Sequence, residues 1–398
     1  MATDATATAI LTVNGGSSSI RFALYARGEP PVLKLRGKIE RIAQAGATLS
    51  FTDTTTNESG RIALGDPGHG AAVSVLVDWL EQRDVLNGIA AIGHRIVQGL
   101  RHAEPARITP ALYAELERLR PRDPEHMPRE LELIDAFGKR LPDCLQVACF
   151  DTTFHRHMPR EAIQIALPRR YEALGVQRYG FHGLSYAYLM EALVRLGDPA
   201  ATHGRVILAH LGSGASMAAA RDGMGIDTSM GFTSASGLPM GTRTGDIDPG
   251  LVRFLADEEA MTAAQFDHLV NHESGLLGLS ETSGDIRDLL ANEAHDLRAA
   301  EAISLFCYQA KKTIGAYAAA LGGLDTLVFA GGIGENAPAI RARICDGLEF
   351  LGITIDPVLN EAGDSLICDA SARVAVRVIA TDEEQMIATL VSRLLGSA

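Results

Sequence analysis

Cysteine is scarce in this sequence, and none of it has the spacing that binds metals or carries redox chemistry. There are five cysteines, an odd number, and no pair forms a C-x-x-C motif. The odd count excludes a fully paired disulfide framework, and the spacing argues against a zinc site. We therefore expect reduced thiols and a cytoplasmic protein.

Long apolar runs and an excess of positive charge are also missing. No segment reaches the roughly 18–20 apolar residues that span a bilayer, and the N-terminus lacks the basic residues that open a secretory signal. The chain has 36 Lys and Arg against 49 Asp and Glu, a formal net charge of -13. Because this charge repels nucleic acids and anionic membranes, neither is predicted as a partner. A local group of arginines can still bind a small anionic substrate.

The length of 398 residues predicts two domains, because one domain usually holds about 100–200 residues. The 46% hydrophobic and 21% charged residues are typical of a globular protein. An apolar strand over Leu145–Phe150 ends at Asp151, which sets the boundary. We predict domains over residues 1–152 and 153–383, with a helix over residues 384–398 completing the first.

Two similar hairpins are predicted, one in each half. Strands over Ala9–Val13 and Ile20–Tyr25 flank a turn of glycine and serine. The same pattern returns downstream, where strands over Arg205–Leu211 and Met217–Ala220 flank a second such turn. An internal duplication would produce this repeat, but two unrelated hairpins are the preferred interpretation on this pattern alone.

Helices and strands alternate in the remainder. Apolar spacing predicts a long helix over Ala299–Leu321 and a buried strand over Thr326–Ala330. A glycine turn over Gly331–Asn336 then leads to a helix near Pro338, an arrangement that offers backbone N–H groups to a phosphate. The segment Ala47–Asp66 has little core and is predicted to be a strand-and-loop excursion.

Polar residues collect at strand ends and glycine turns, where open α/β proteins bind ligands. The segments are Asn14–Ser19, Gly93–Val97, Phe150–His155, Arg178–Gly183, Asp227–Pro249 and Gly332–Asn336. Taken singly, each residue has a structural interpretation. Arg95 could pair with an acid, His182 could be a structural histidine, Asp151 could cap a helix, and the loop around Arg243 could lie on the surface.

Together, these segments resemble the acetate kinase family, in the family's order and over nearly the whole chain. Further matching stretches are His210–Ser216, Ser283–Arg287 and Thr381–Glu384, and the sequence DTSMGFT followed by GTRTGDIDPG is highly specific. The resemblance implies an α/β fold in which an actin-like (ribonuclease H-like) domain is duplicated around a nucleotide cleft. The two hairpins would then be paired phosphate-binding turns.

The resemblance also implies reversible phosphoryl transfer between ATP and acetate, giving acetyl phosphate and ADP. Mg²⁺ or Mn²⁺ would be the metal, ATP and ADP the co-substrates, and the enzyme a cytoplasmic homodimer. Propionate or another short carboxylate could replace acetate. An alternative of a different class is a nucleotide-binding regulator on the same fold, against which the intact Arg95, His182 and Arg243 argue.

The resemblance assigns roles to individual residues. The catalytic residues would be Arg95, Asp151, His182 and Arg243. The carboxylate pocket would be lined by Arg95, Val97, Phe181 and His126. The metal would be held by Asn14 and Glu383. The nucleotide would contact Arg21, His210, Leu211, Gly212, Ser213, Gly214, Asp285, Ile286, Arg287, Gly332, Ile333, Gly334, Glu335 and Asn336.

The chain departs from the family pattern at several positions. Gln98-Gly-Leu100 stands where the family has His-Gly-Gly, and Ser213 stands where it has Asn. Ser234 and Ser236 replace a proline and a glutamate, and Glu125 precedes His126 where a leucine is usual. Because small changes in an apolar pocket reorder substrates, these departures bear on substrate preference.

Overall fold

The computed structural model describes residues 8–16, 18–100, 102–120, 123–124 and 126–396. Glu125, one of the departures named above, lies outside the described residues. The chain divides into two compact units. Unit 1 comprises Met1–Thr153 and Asp382–Ala398, and unit 2 comprises Phe154–Thr381.

Unit 1 is built on a sheet with the strand order β5-β4-β3-β2-β1-β6-β8-β7. Its strands are β1 (Ala9–Gly15), β2 (Ser19–Ala26), β3 (Val32–Glu40), β4 (Ala47–Asp53), β5 (Glu58–Gly65), β6 (Ile89–Ile96), β7 (Ala106–Arg107) and β8 (Leu145–Phe150). Its helices are α1 (His69–Gln82), α2 (Pro110–Glu117), α3 (Met127–Arg140) and α15 (Glu383–Gly396). Strands β1, β6 and β8 are parallel to one another.

The core of unit 1 explains why these elements assemble. Trp79 on α1 packs against Phe22 and Phe51, with ring centroids 5.6 and 5.0 Å apart. Helix α15 crosses β6 at Gly93, where an added Cβ would lie 2.5 Å from Cγ2 of Ile387. Only glycine allows this approach, so Gly93 fixes the helix against the strand that carries Arg95.

Unit 2 has a sheet with the order β11-β10-β9-β12-β13. Its strands are β9 (Arg205–Leu211), β10 (Ala215–Arg221), β11 (Met224–Thr228), β12 (Thr326–Ala330) and β13 (Ala375–Val378). Its α-helices are α4 (Arg160–Ile163), α5 (Gly183–Arg195), α6 (Ala200–His203), α7 (Gly250–Glu259), α8 (Ala263–His272), α9 (Gly275–Ser280), α10 (Ile286–Asn292), α11 (Leu297–Leu321), α12 (Gly331–Asn336), α13 (Pro338–Cys345) and α14 (Pro357–Ala362). Short 3₁₀ helices cover Thr153–His157, Glu172–Leu174 and Glu349–Leu351.

The two sheets share one arrangement of five strands. In unit 1 an antiparallel run, β3-β2-β1, is followed by the parallel strands β6 and β8. In unit 2 the antiparallel run β11-β10-β9 is followed by the parallel strands β12 and β13. Both predicted hairpins are confirmed, and the shared strand order favours duplication over two unrelated hairpins.

Most of the other predicted elements are confirmed, with two corrections. The predicted helix over Ala299–Leu321 is α11, capped by Gly322 in the left-handed conformation, and the strand over Thr326–Ala330 is β12. The segment Ala47–Asp66 forms a hairpin, β4–β5, that extends the sheet of unit 1. The segment Gly331–Asn336, predicted to be a turn, is helix α12.

Among the described helices, none combines the length and the hydropathy that crossing a bilayer requires.

Candidate functional site

Asn14 and Glu383 lie together in unit 1, although the whole of unit 2 separates them in the sequence. Asn14 is buried on β1, and its Nδ2 donates to Oε2 of Glu383 at 2.9 Å and to Oε1 of Glu384 at 3.2 Å. Both acids lie in the first turn of α15. Asp382 caps this helix by accepting the N–H of Gln385 at 2.7 Å.

The donor set of this cluster suits a hard cation. Carboxylate and amide oxygens are the protein ligands of Mg²⁺, which also keeps several waters. Burial raises the pKa of Glu384, and the nearby charge of Glu383 raises it further, so a cation here would relieve their repulsion. Within the described ranges, no group of three or more His, Cys, Asp or Glu residues could hold a metal ion. An ion would therefore take its remaining ligands from water and substrate.

Arg21 lies at the same end of the hairpin β1–β2 as Asn14. It pairs with Asn14 across the antiparallel strands β1 and β2, and its side chain is exposed. Its positive charge acts on Glu384, whose pKa it lowers against the effect of burial. The structure therefore brings Arg21 close to the predicted metal ligands.

Arg95, near the end of β6, lies between two carboxylates. Its Nη2 donates to Oδ2 of Asp151 at 2.9 Å, and its Nη1 is 3.9 Å from Oε1 of Glu130. The side chains of Asp151 and Glu130 are 0% and 1% exposed. Burial opposes the charge of Arg95, but Asp151, Glu383 and Glu130 together raise its pKa. The influence of Glu383 places Arg95 near the predicted metal ligands of unit 1.

One donor of Arg95 is unused in this arrangement. Its Nε is buried, and the described part of the chain offers it no hydrogen-bond partner. A guanidinium presents its N–H donors in a planar fork, and a buried donor without an acceptor costs free energy. A carboxylate or phosphoryl oxygen would satisfy this edge, because both have the charge and geometry that arginine binds.

Glu130 is a residue that sequence reasoning does not select. It lies on the buried face of α3, which is otherwise apolar. Both of its carboxylate oxygens lie 3.1 Å from the N–H of Val97, which donates to them. Burial raises the pKa of Glu130 to about 8, although Arg95 lowers it. An acid within the apolar stripe of an amphipathic helix is the signal that could have identified it.

Val97 and His126, both assigned to the carboxylate pocket, are anchored by acids. Val97 is buried directly after β6, where Glu130 accepts its backbone N–H. His126 precedes α3, and its Nδ1 hydrogen-bonds with Oδ1 of Asp123 at 2.9 Å. The same oxygen accepts the backbone N–H of His126 at 3.0 Å. Both residues therefore have fixed positions within unit 1.

The departure at Gln98-Gly-Leu100 has a structural consequence. Leu100 adopts a left-handed backbone with φ 47°, a region that favours glycine. Its N–H donates to Oε1 of Gln98 at 3.1 Å. Gln98 therefore supports a turn in which leucine occupies a glycine-like position.

In unit 2, His182 has a left-handed backbone at the N-terminus of α5, with φ 57°. Its Nδ1 hydrogen-bonds with Oγ of Ser216 at 2.8 Å, and its ring stacks on His210 with centroids 4.2 Å apart. The preceding residue, Phe181, is buried, and its carbonyl hydrogen-bonds with Nε2 of His155 at 3.0 Å. The hydroxyl of Ser216 and the ring of His210 therefore help to orient the His182 ring.

Hydroxyl groups hold both histidines. Ser216 on β10, which sequence reasoning does not select either, also hydrogen-bonds with the hydroxyl of Tyr186. His210 uses its Nδ1 to bond Oγ of Ser185 at 2.8 Å, and that hydroxyl bonds Oγ1 of Thr381 at 2.7 Å. A network of hydroxyls thus contacts both members of the histidine pair.

The turn Gly212–Gly214 lies against His182 and Arg243. The N–H of Gly212 donates to the carbonyl of Gly214 at 3.1 Å, which closes the turn. A Cβ added at Gly214 would lie 3.5 Å from Nε2 of His182 and 3.9 Å from Nη1 of Arg243. The carbonyl of Ser213 accepts the N–H of Gly241 at 3.0 Å. Since Ser213 is tied through its backbone, replacing Asn with Ser leaves this contact intact.

Arg243 is positioned by its own glycine-rich loop. Its Nη1 donates to the carbonyl of Ser234 at 3.0 Å and contacts Sδ of Met240 at 3.5 Å. The loop packs on the start of α9, where a Cβ at Gly275 would lie 2.6 Å from the carbonyl oxygen of Arg243. Ser234 therefore meets Arg243 through its backbone.

The residues assigned to the adenosine end lie on two sides of this turn. Asp285 caps α10 by accepting the N–H of Arg287 at 2.9 Å, and the two side chains form an exposed ion pair. Its neighbour Gly284 is so close to Gly241 that an added Cβ would lie 2.7 Å from the carbonyl oxygen there. Ile286 follows as the first, buried residue of α10.

Helix α12 lies on the other side of the turn Gly212–Gly214. The backbone N of Gly332 would lie 3.9 Å from a Cβ at Gly212. Ile333 and Gly334 are buried within α12. Glu335 turns towards backbone, where its Oε1 accepts the N–H of Gly331 at 2.8 Å and that of Thr381 at 3.1 Å. Asn336 donates to the carbonyl of Gly332 at 3.0 Å. The structure therefore ties the side chains of Glu335 and Asn336 to nearby backbone.

Comparisons with known proteins agree on one family. The sequence model described as the Acetokinase family matches residues 9–389. An acetate kinase of Rhodopseudomonas palustris (strain TIE-1) is 42% identical over 391 residues, covering 97% of this chain and 98% of the relative. A propionate kinase of Citrobacter rodentium (strain ICC168) is 43% identical over 394 residues, covering 97% and 96%.

A solved structure extends the similarity to the fold. The crystal structure of Porphyromonas gingivalis acetate kinase superposes with a TM-score of 0.87 at 37% identity, covering 98% of this chain and 100% of that one. The duplicated strand order seen here is accordingly the actin-like fold of these kinases. The chain belongs to the acetokinase family, the phosphotransferases that use ATP and ADP with a carboxyl group as acceptor.

Proposed function

We propose that this enzyme transfers a phosphoryl group reversibly between ATP and acetate, giving acetyl phosphate and ADP. The observation that supports this most is Arg95, a partly buried cation held by Asp151, whose buried Nε has no acceptor in the described structure. Such a group suits a small carboxylate, because the planar fork matches the two carboxylate oxygens.

The proposed mechanism in unit 1 requires no general base. Carboxylic acids have ordinary pKa values near 4, so the acceptor is already ionised at neutral pH. Arg95 binds the acceptor, and Asp151 holds the guanidinium in place. Val97 forms part of the apolar wall for the acyl group. Their contribution is positioning, which is the main requirement of phosphoryl transfer.

In unit 2 the proposed contribution is positive charge and hydrogen-bond donors. Arg243 and His182 both border the turn Gly212–Gly214, whose backbone N–H groups suit phosphate oxygens. Donors aimed at the transferring group stabilise the charge that develops on it. Asp285-Ile-Arg287 and Gly332–Asn336 are proposed to contact the adenosine.

Asn14 and Glu383 are proposed to hold Mg²⁺, or Mn²⁺ in its place. When bound, the ion would neutralise charge on the phosphate oxygens. Titration of activity against Mg²⁺ at saturating ATP tests the assignment. We expect Asn14→Ala and Glu383→Ala to raise the half-saturating Mg²⁺ concentration. Unchanged values in both variants would mean that Glu383 only stabilises the N-terminus of α15, as an acid in its first turn.

One assay tests the proposed reaction. Enzyme, ATP, Mg²⁺ and acetate are incubated with hydroxylamine, which converts an acyl phosphate to a hydroxamate. Hydroxamate formation supports the kinase, and ATP binding without product supports the nucleotide-binding regulator. Propionate belongs in the same assay, because the propionate kinase is as similar to this chain as the acetate kinase. The ratio of the two kcat/KM values selects the substrate.

We also propose a cytoplasmic homodimer whose two units are the domains of the duplicated fold. The described parts of α7 and α8 contain no buried residue, and Leu251, Val252 and Phe254 on α7 are exposed. An exposed apolar helix of this kind suits a subunit interface. Light scattering coupled to size exclusion tests the assembly. Phe254→Glu should give a monomer, and a wild-type monomer would contradict the proposal.

A further inference from the structure

Glu130 is a buried acid within reach of two groups that serve the carboxylate pocket. Its oxygens accept the N–H of Val97 at 3.1 Å, and Oε1 lies 3.9 Å from Nη1 of Arg95. A single side chain therefore fixes the backbone that lines the pocket and borders the cation that binds the substrate. Nothing in the proposed chemistry uses this acid as a reactant.

The local charge balance gives Glu130 its importance. Arg95 carries one positive charge, and Asp151, its partner at 2.9 Å, carries one negative charge. When Glu130 is protonated, the side chains of Arg95, Asp151 and Glu130 together carry no net charge. When Glu130 is ionised, a second buried negative charge competes with the substrate for Arg95, since buried charges are weakly screened.

The charged groups around Glu130 come from several elements. Arg95 on β6 and the N–H of Val97 favour its ionised form, whereas Asp123 before α3 and Asp151 after β8 oppose it. Burial has the largest effect and raises the pKa to about 8. The switch between the two states therefore falls just above neutral pH, while acetate itself stays ionised throughout this range.

We propose that Glu130 is a positioning residue for the carboxylate substrate: it anchors the pocket-lining backbone at Val97, and its protonation keeps Arg95 available to the substrate anion. This inference rests on the proposed function, because it assigns the carboxylate to Arg95. Glu130→Gln imitates the protonated acid in shape and in charge. Glu132→Gln is the matched control, because Glu132 lies on the same helix but pairs with His69 at 2.6 Å.

The test is the pH profile of KM for the carboxylate, at saturating ATP and Mg²⁺. Protonation near pH 8 predicts a rise of about tenfold in KM between pH 7 and pH 9 for wild type and Glu132→Gln. Glu130→Gln should keep its pH 7 value across the range, with the KM for ATP unchanged. Only a change in charge at residue 130 explains that difference, since a purely structural role would alter KM equally at all pH values.

Two results would overturn the inference. One is a wild-type KM that stays constant between pH 7 and pH 9, which needs no variant. The other is a rise in Glu130→Gln equal to that in wild type. Failure of the proposed function itself is distinguishable, because wild type would then form no acyl phosphate at any pH.

Discussion

The two units hold their candidate residues by different means. In unit 1, Arg95 lies between the buried carboxylates of Asp151 and Glu130, and Asn14 bonds two acids on α15. In unit 2, hydroxyls hold the histidine pair, and a carbonyl holds Arg243. Ion pairs in a dry interior respond strongly to pH and to the loss of one partner, whereas neutral hydrogen bonds respond weakly. The described contacts thus pair charges around Arg95 and Asn14 in unit 1, and they join hydroxyls to the histidine rings in unit 2.

The largest expected effect separates the two arginines. Arg95→Ala and Arg243→Ala should each lower kcat by about 10²–10³-fold, because each removes a transition-state donor. Arg95→Ala also leaves the buried carboxylate of Asp151 without this cation, and such a loss destabilises a protein by roughly 3–5 kcal/mol. Kinetics and thermal unfolding measured together distinguish them. An unchanged stability in Arg95→Ala would contradict this prediction, and lysine should rescue either site poorly.

Ser216→Ala tests the hydroxyl network of unit 2. Its hydroxyl meets both His182 and Tyr186, so its loss should cost about 1–3 kcal/mol of unfolding free energy. Turnover should fall because the ring of His182 is less well oriented. Denaturant unfolding and kcat provide the measurements. A variant as stable and as active as wild type would show that Ser216 contributes nothing.

The pH dependence of stability should depend on Glu130. Burial raises the pKa of Glu130 to about 8, so the folded protein holds a proton that the unfolded chain releases. Stability therefore falls as pH rises from the ordinary value near 4 to about 8, by up to about 1.4 kcal/mol per pH unit. Burial lowers the pKa of His94 to about 4, which has the opposite effect below pH 6.5.

Urea unfolding between pH 6.5 and pH 8 isolates this contribution. Glu130→Gln should remove most of the slope in that window, and Glu132→Gln should retain it. Parallel curves for wild type and Glu130→Gln would mean that Glu130 is already ionised in the folded protein.

The smallest expected effect concerns Leu100. A left-handed backbone costs a residue with a side chain about 1–2 kcal/mol. Glycine would avoid this strain, but its greater conformational freedom in the unfolded chain offsets part of the stabilisation. Leu100→Gly should therefore stabilise the protein by at most about 1 kcal/mol. Ala260, with φ 53° in unit 2, provides the matched Ala260→Gly control. A loss of stability in Leu100→Gly would show that the leucine side chain contributes packing that outweighs the strain.

Local patterns were sufficient to predict the hairpins, the long helix and the boundary strand. In these segments apolar residues alternate or recur periodically between glycines, which predicts single elements but not the strand order of the two sheets. Residues Gly331–Asn336 were harder, because glycine disfavours helices by about 1 kcal/mol. Contacts outside the helix act on these residues: Glu335 accepts the N–H of Thr381, and a Cβ at Gly331 would lie 2.7 Å from the carbonyl oxygen of Leu211.

The candidate site could be predicted only where a family motif marks it. Arg95, His182 and Arg243 stand in such motifs, and their roles remain predictions. Glu130 and Ser216 lie in segments that read as an ordinary helix and an ordinary strand. Their importance comes from contacts with distant residues: Glu130 contacts Val97, 33 positions away, and Ser216 contacts His182, 34 positions away. Sequence spacing carries no information about such contacts.

Helix α15 has a consequence for how the enzyme is made. It belongs to unit 1 and packs on β6 at Gly93, yet it is translated only after Phe154–Thr381. At the usual rate of synthesis, this delay is on the order of ten to forty-five seconds. During that time the nascent first unit has an uncovered sheet surface and lacks Glu383. Unit 1 thus receives its last helix only after all five strands of the unit 2 sheet have been synthesised. A premature stop near residue 380 would remove the proposed metal site while sparing the phosphate turn.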